Sequence, residues 1–140
     1  MNVSFIGTHG GRLRLLRPLF VARISAGFPS PAEDLVEGRL DLNRHLIRHP
    51  AATFYMRVIG DSMNDEMREG DILVVDRACE AEDGDIVIVR IFSDFTVKRL
   101  SLQNGKIRLL ATNKAYPPID VTEEMDFEVW GKVLWSIRPH

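Results

Sequence analysis

From residue 52 onward the chain breaks into short apolar runs separated by turn-forming residues, and this spacing restricts the body to a sheet-rich fold. The runs are Phe54 to Ile59, Asp71 to Asp76, Asp85 to Phe92, Phe95 to Leu102, Ile107 to Ala111 and Phe127 to Ile137. They are rich in valine, isoleucine and aromatic residues and are bounded by Gly, Asp, Asn and Ser, the pattern of strands and tight turns. Asn104-Gly105 is a strong hairpin signal because both residues tolerate positive φ. Ser93-Asp94 is read as the turn joining the two runs that flank it. Short strands at close spacing predict a mostly β body, a compact antiparallel folded sheet or barrel-like unit.

The chain ahead of residue 52 reads differently. Residues 1–29 have no clean period, and Gly7, Gly10 and Gly11 mark a flexible start to an N-terminal arm. Ser30-Pro31-Ala32-Glu33 carries the signature of a helix start, with Ser30 as cap, Pro31 in the first turn and Glu33 completing a capping box. Gly38 is expected to end that helix. A second short helix is expected from Asp41 to His49, stopped by Pro50. The division expected is an arm at 1–29 and a single folded domain at 30–140, since 140 residues support one sizeable core.

Charge separates the same two parts. The chain carries a net charge of −2, which gives no general reason to bind nucleic acid. Arg12, Arg14, Arg17 and Arg23 meet no acid before Gly27, so the remainder is acidic. Such an arm either docks on the body by long-range attraction or extends as a solvated tail. The lone Cys79 excludes an internal disulfide and fits a reducing cytoplasmic setting. No apolar run approaches the roughly 20 residues of a membrane span, so no membrane association is expected. No His, Cys or carboxylate group has metal-ligand spacing along the sequence, and no metal or other cofactor is expected.

Three features carry possible chemistry. Gly60-Asp61-Ser62-Met63 follows a strand and opens a polar turn. A serine there either caps the turn or presents its hydroxyl as a nucleophile, with nearby backbone N–H groups available to an oxyanion. A serine hydroxyl needs a base. His9, His45, His49 and His140 have no suggestive position, and His45 and His49 read most simply as surface residues. Lys98 lies inside a strand, where alternation puts Thr96, Lys98 and Leu100 on one face and Phe95, Val97 and Arg99 on the other. Its amine either snorkels to water or sits among apolar neighbours, loses its proton and serves as the base. Arg99 cannot substitute, because a guanidinium stays protonated. Upstream, Ala26-Gly27 is a small pair that either joins arm to body or enters a tight active site as substrate.

Taken in order, these stretches resemble the LexA/UmuD family of self-cleaving serine–lysine proteins, and within it the UmuD-like members. The resemblance spans about residues 18–137. It is carried by Pro18-Leu19-Phe20, Ala26-Gly27-Phe28-Pro29-Ser30-Pro31-Ala32, Asp41-Leu42-Asn43, His49-Pro50, Gly60-Asp61-Ser62-Met63, Gly70 to Asp76, Gly84 to Ile88 and Phe95-Thr96-Val97-Lys98. It implies that Ser62 is the nucleophile and Lys98 the general base of a serine endopeptidase acting on its own chain. The backbone N–H groups of Ser62 and Met63 become the oxyanion donors, and Ala26–Gly27 the bond cut. It further implies stimulation by a RecA–single-stranded DNA filament, a homodimeric product, and service to a Y-family translesion polymerase in the SOS response to DNA damage.

The residues ahead of Gly27 are too few for a helix-turn-helix reader with its own core, so sequence-specific DNA binding is not expected. A membrane-bound leader peptidase is disfavoured by the missing span. The remaining alternative is a non-catalytic, sheet-rich adaptor that binds other proteins, its serine and lysine being incidental.

Overall fold

A computed structural model describes residues 2–8, 16–20, 36–61, 63 and 65–140. Within these, ten strands and one short helix occur in chain order: β1 (Asn2–Thr8), β2 (Leu16–Phe20), β3 (Val36–Asp41), α1 (Leu42–Leu46), β4 (Thr53–Ile59), β5 (Ile72–Asp76), β6 (Ile86–Ile91), β7 (Asp94–Gln103), β8 (Lys106–Leu110), β9 (Ile119–Asp120) and β10 (Glu128–Ile137). The expected mostly β, antiparallel architecture is observed. Eight strands form one sheet in the order β1-β4-β5-β10-β6-β7-β8-β9, and β1 also meets β7 through the pair Asn2↔Thr96. That contact closes β1, β4, β5, β10, β6 and β7 into a ring, which leaves none of the six with a bare edge along its whole length. β2 and β3 form a separate antiparallel pair.

The apolar runs are continuous because alternate residues feed two cores. Ile88 of β6 enters a cluster with Met56, Val58, Met63, Met67, Leu73, Val75 and Val97. Its neighbours Val87 and Val89 point the other way, into a cluster with Leu100 and Leu109. β10 runs between β5 and β6, and its register shifts between Val129 and Gly131. A side chain at Gly131 would place a Cβ 2.7 Å from Cγ1 of the fully buried Val75.

The Asn104-Gly105 turn forms as the sequence predicts, with both residues at positive φ between Gln103 and its partner Lys106. Three expectations need correction. The turn before β7 is Phe92-Ser93 rather than Ser93-Asp94, because Asp94 already pairs with Ile91. Phe92 takes positive φ there, and its N–H donates to the Met125 carbonyl.

Residues 2–8, read as the flexible start of an arm, form β1 against β4, with Val3 packed on the first core. The register shift between Phe5 and Gly7 breaks the alternation that would have marked a strand. The helix expected to run to Gly38 does not reach it: residues 36–38 are in β3, paired with β2, so strand pairing overrides the local stop signal. The proposed start of that helix, Ser30 to Glu33, lies outside the described residues. The second helix is present but short. Asp41 caps α1 through its side chain, which accepts from the Asn43 N–H, and a 3₁₀ turn at Pro50–Ala52 comes next.

Candidate active site

β7 sets Lys98 directly opposite Val87 of β6, so the two share a face with Leu100 and Thr96, while Val97 faces the other core with Ile88. This matches the alternation read from the sequence. Lys98 is 6% exposed. Burial removes water from the ammonium and pulls its pKa below the ordinary lysine value. A lysine in this state yields a neutral amine more readily than one at the surface, which is what proton abstraction from a hydroxyl requires.

Ser62, Ala26 and Gly27 lie outside the described residues, as do His9, Arg12, Arg14 and Arg23. The residues on either side of Ser62 are described, and they are tied to the surroundings of Lys98. Gly60 closes β4 at positive φ, a conformation that turns the chain sharply and costs a glycine little. Asp61 comes next, exposed at its side chain. Its carbonyl accepts a hydrogen bond from Asn113 Nδ2 at 3.0 Å, and its carboxylate accepts one from the Tyr116 hydroxyl. The ring of Tyr116 lies under Lys98, with Nζ 5.6 Å from the ring centroid. Tyr116 therefore bridges the lysine to the residue that precedes Ser62.

The residue after the serine is held as firmly. Met63 is fully buried in the first core, its Sδ 4.0 Å from Thr112 Oγ1. Its carbonyl accepts the N–H groups of Glu66 and Met67, so a helical turn begins at Met63. Glu66 in that turn pairs with Arg99, the neighbour of Lys98 on β7. Lys98, through Tyr116, and its neighbour Arg99, through Glu66, are thus both linked to residues flanking Ser62. Asp71 ends the segment: its buried carboxylate receives Nε and a terminal N–H of Arg138 at 2.9 and 2.7 Å and the Arg68 N–H at 2.9 Å. These bonds, led by that from Arg138, hold the Asp71 carboxyl below the usual range.

Sequence reasoning overlooked Thr112, Asn113 and Tyr116. Asn113 is a turn former whose Oδ1 accepts the Ala115 N–H, a signal visible in the sequence. Nothing local in the sequence linked that turn to Asp61. Two of the described histidines have other partners. His45 packs against Trp135 at 5.5 Å, and His49 pairs with Asp76. Arg17, the described arginine of the arm, donates to the Leu16 carbonyl. Among the described residues no helix is long and apolar enough to cross a membrane.

Matches to known proteins run along nearly the whole chain. The model of the peptidase S24-like family matches residues 18–134. Protein SamA of Salmonella typhimurium is 51% identical over 122 residues, which cover 86% of each chain. Protein MucA of Escherichia coli is 42% identical over 142 aligned positions, which cover 100% of this chain and 97% of MucA. The LexA repressor of Xylella fastidiosa is 39% identical over 127 residues, covering 90% of this chain but 60% of the repressor. A buried strand lysine linked through Tyr116 to Asp61, a mostly antiparallel body and matches along nearly the whole chain lead to one assignment: the chain belongs to the peptidase S24-like family, the group of LexA and UmuD.

Proposed function

We propose that this protein is a serine endopeptidase that cuts its own Ala26–Gly27 bond and, once trimmed, serves an error-prone DNA polymerase in the SOS response. The observation that carries the reading is the bridge from Lys98 through Tyr116 to Asp61, the residue preceding Ser62.

In this mechanism the neutral amine of Lys98 takes the hydroxyl proton of Ser62, and Oγ attacks the Ala26 carbonyl carbon. The backbone N–H groups of Ser62 and Met63 receive the oxyanion. The tetrahedral intermediate collapses, the C–N bond breaks, and the Lys98 ammonium returns its proton to the departing Gly27 amine. Water then hydrolyses the acyl-serine with Lys98 again as base. The bond cut lies in the connection from β2 to β3, and the peptidase groups lie within 30–140, whose sheet β1 completes.

Membership of the family supports the wider role: stimulation by a RecA–single-stranded DNA filament, a homodimeric product, a Y-family polymerase subunit as partner, and a cytoplasmic site of action without sequence-specific DNA binding. Incubation with RecA, ATP and single-stranded DNA, then intact-mass measurement, tests the core of it. A fragment beginning at Gly27 is expected, absent in Ser62→Ala and Lys98→Met. A chain that stays whole under these conditions, or the same fragment from either variant, refutes it and returns the adaptor reading.

A further inference from the structure

We propose that His49, Asp76 and Cys79 form a binding site for a borderline divalent cation of the Zn²⁺ class, with three protein ligands and a fourth position open to water. The three residues come from separate places: the segment before the 3₁₀ turn, the last position of β5, and the bend just beyond it. Their ligand atoms all lie within 4.8 Å of one another.

The group is organised by the protein around it. The Asp76 side chain is fully buried, and its Oδ1 accepts the Ala78 and Cys79 N–H groups at 2.7 and 3.0 Å. This leaves Oδ2 directed at His49 Nδ1, 2.7 Å away. Cys79 Sγ approaches the same nitrogen at 3.9 Å. Both groups therefore converge on one side of the imidazole. A catalytic cysteine–histidine–aspartate relay would place them on opposite ring nitrogens, so convergence on one nitrogen suits ligation instead. The backbone of His49 is also fixed: its carbonyl accepts from buried Thr53 Oγ1 at 2.7 Å and from the Ala52 N–H at 2.9 Å.

The spacing fits a tetrahedral ion. With bonds of about 2.0–2.3 Å, neighbouring ligand atoms stand roughly 3.3–3.8 Å apart. The sulfur–nitrogen pair, at 3.9 Å, has to close by a few tenths of an ångström. The oxygen–nitrogen pair has to open by about half an ångström as the metal takes the place of the hydrogen between them. One nitrogen, one oxygen and one sulfur donor favour Zn²⁺ over Mg²⁺ or Ca²⁺, which take oxygen sets. The half-exposed His49 side chain leaves a path for the ion and room for a water ligand.

On binding, the imidazole N–H moves to Nε2, the thiol proton passes to solvent, and carboxylate, thiolate and imidazole nitrogen each donate a pair to the metal. Burial, and after it the Asp76 carboxylate, pushes the Cys79 thiol up, while Arg48 at the same sulfur pulls it down. Arg48 becomes an outer hydrogen-bond donor to the bound thiolate.

The site is distinct from Lys98. Asp76 pairs with Lys132, Lys132 with Val87, and Val87 with Lys98, a separation of three strand spacings or roughly 14 Å along the sheet. Metal binding there is independent of the peptidase mechanism.

Titration of the tag-free, full-length protein with Co²⁺ tests it optically. The expected spectrum has a near-ultraviolet thiolate-to-cobalt charge-transfer band and the visible bands of tetrahedral cobalt, both erased by added Zn²⁺. Cys79→Ser is expected to lose the charge-transfer band. His49→Gln is expected to weaken cobalt binding by more than the roughly 10–100-fold that loss of an outer-shell partner costs. Both variants alter partly exposed side chains and leave Asp76 to hold its turn, and circular dichroism checks that each remains folded. A parent spectrum without the charge-transfer band, a band that survives in Cys79→Ser, or undiminished affinity in His49→Gln overturns the assignment.

Discussion

Replacing Lys98 with methionine is expected to stabilise the fold while abolishing self-cleavage. The substitution keeps an unbranched stem of similar length in the same channel and removes the amine. Lys98 is 6% exposed, and its pKa is lowered by burial. The unfolded chain therefore holds a proton that the folded chain releases more readily, and folding is penalised wherever the two differ. The penalty is full below the lowered folded-state pKa and disappears as pH rises to the ordinary lysine value of about 10.5. Its ceiling at pH 7 is the cost of deprotonating a free lysine there, about 5 kcal/mol at about 1.4 kcal/mol per pH unit.

Methionine also forfeits the contact of the ammonium with the Tyr116 ring, worth about 0.5–1 kcal/mol. A net gain of about 1–3 kcal/mol at pH 7 is expected. Urea unfolding is the assay, with Ser62→Ala as the common background so that no chain is cut, at pH values from neutral to about 10. The gap between variant and parent should shrink as pH rises. A Lys98→Met protein less stable than its parent at pH 7, or a gap that stays constant to pH 10, refutes the argument that burial lowers the pKa of this amine.

Three further outcomes are expected. Tyr116→Phe keeps the ring beside Lys98 and deletes the hydroxyl bond to Asp61, so self-cleavage should slow roughly tenfold with little change in melting temperature, read by gel time courses. Gly131→Ala drives a methyl into Val75 Cγ1 and should cost about 1–3 kcal/mol in urea unfolding; adding Val75→Ala should recover part of that loss, the coupling expected of touching residues. Stability should fall with acid as pH drops from the unfolded carboxyl value of about 3.9 through the lowered folded-state value of Asp71. Arg138→Gln removes the main cause of that lowering and should shift acid unfolding, monitored by circular dichroism, to higher pH.

The strands of the body were legible because their signals are local. Alternation and turn residues in Phe54 to Ile59 or around Asn104-Gly105 need no knowledge of distant partners, and the face carrying Lys98 came from the same period of two. The features that stayed hidden depend on long-range pairing. Nothing near residues 36–41 announces that they will lie beside residues 16–20, so a capping pattern suggested helix where β3 pairs with β2. β1 was obscured by its own irregularity at Gly7. Asp76 and Cys79 are near neighbours in the chain, but His49 lies 27 and 30 residues ahead of them, outside the spacing of any short ligand motif, and joins them because β4 and β5 are antiparallel neighbours. The bracing of Asp61 by Asn113 and Tyr116 spans more than 50 residues, so it too appears only after folding.

Were the chain cut at Ala26–Gly27 as proposed, the pairing of β2 with β3 would govern the fate of the two fragments. Ala26–Gly27 falls in the connection between these two strands, so a cut there nicks a hairpin without erasing its rungs, which run from Leu16↔Asp41 to Phe20↔Val36. The upstream fragment also keeps β1, stitched into the ring against β4 and β7. Peptide-bond scission and departure of the fragment would thus be separate events, the first set by chemistry and the second by dissociation of two short strands. A nicked complex that co-elutes at high concentration and falls apart on dilution is the behaviour this topology dictates.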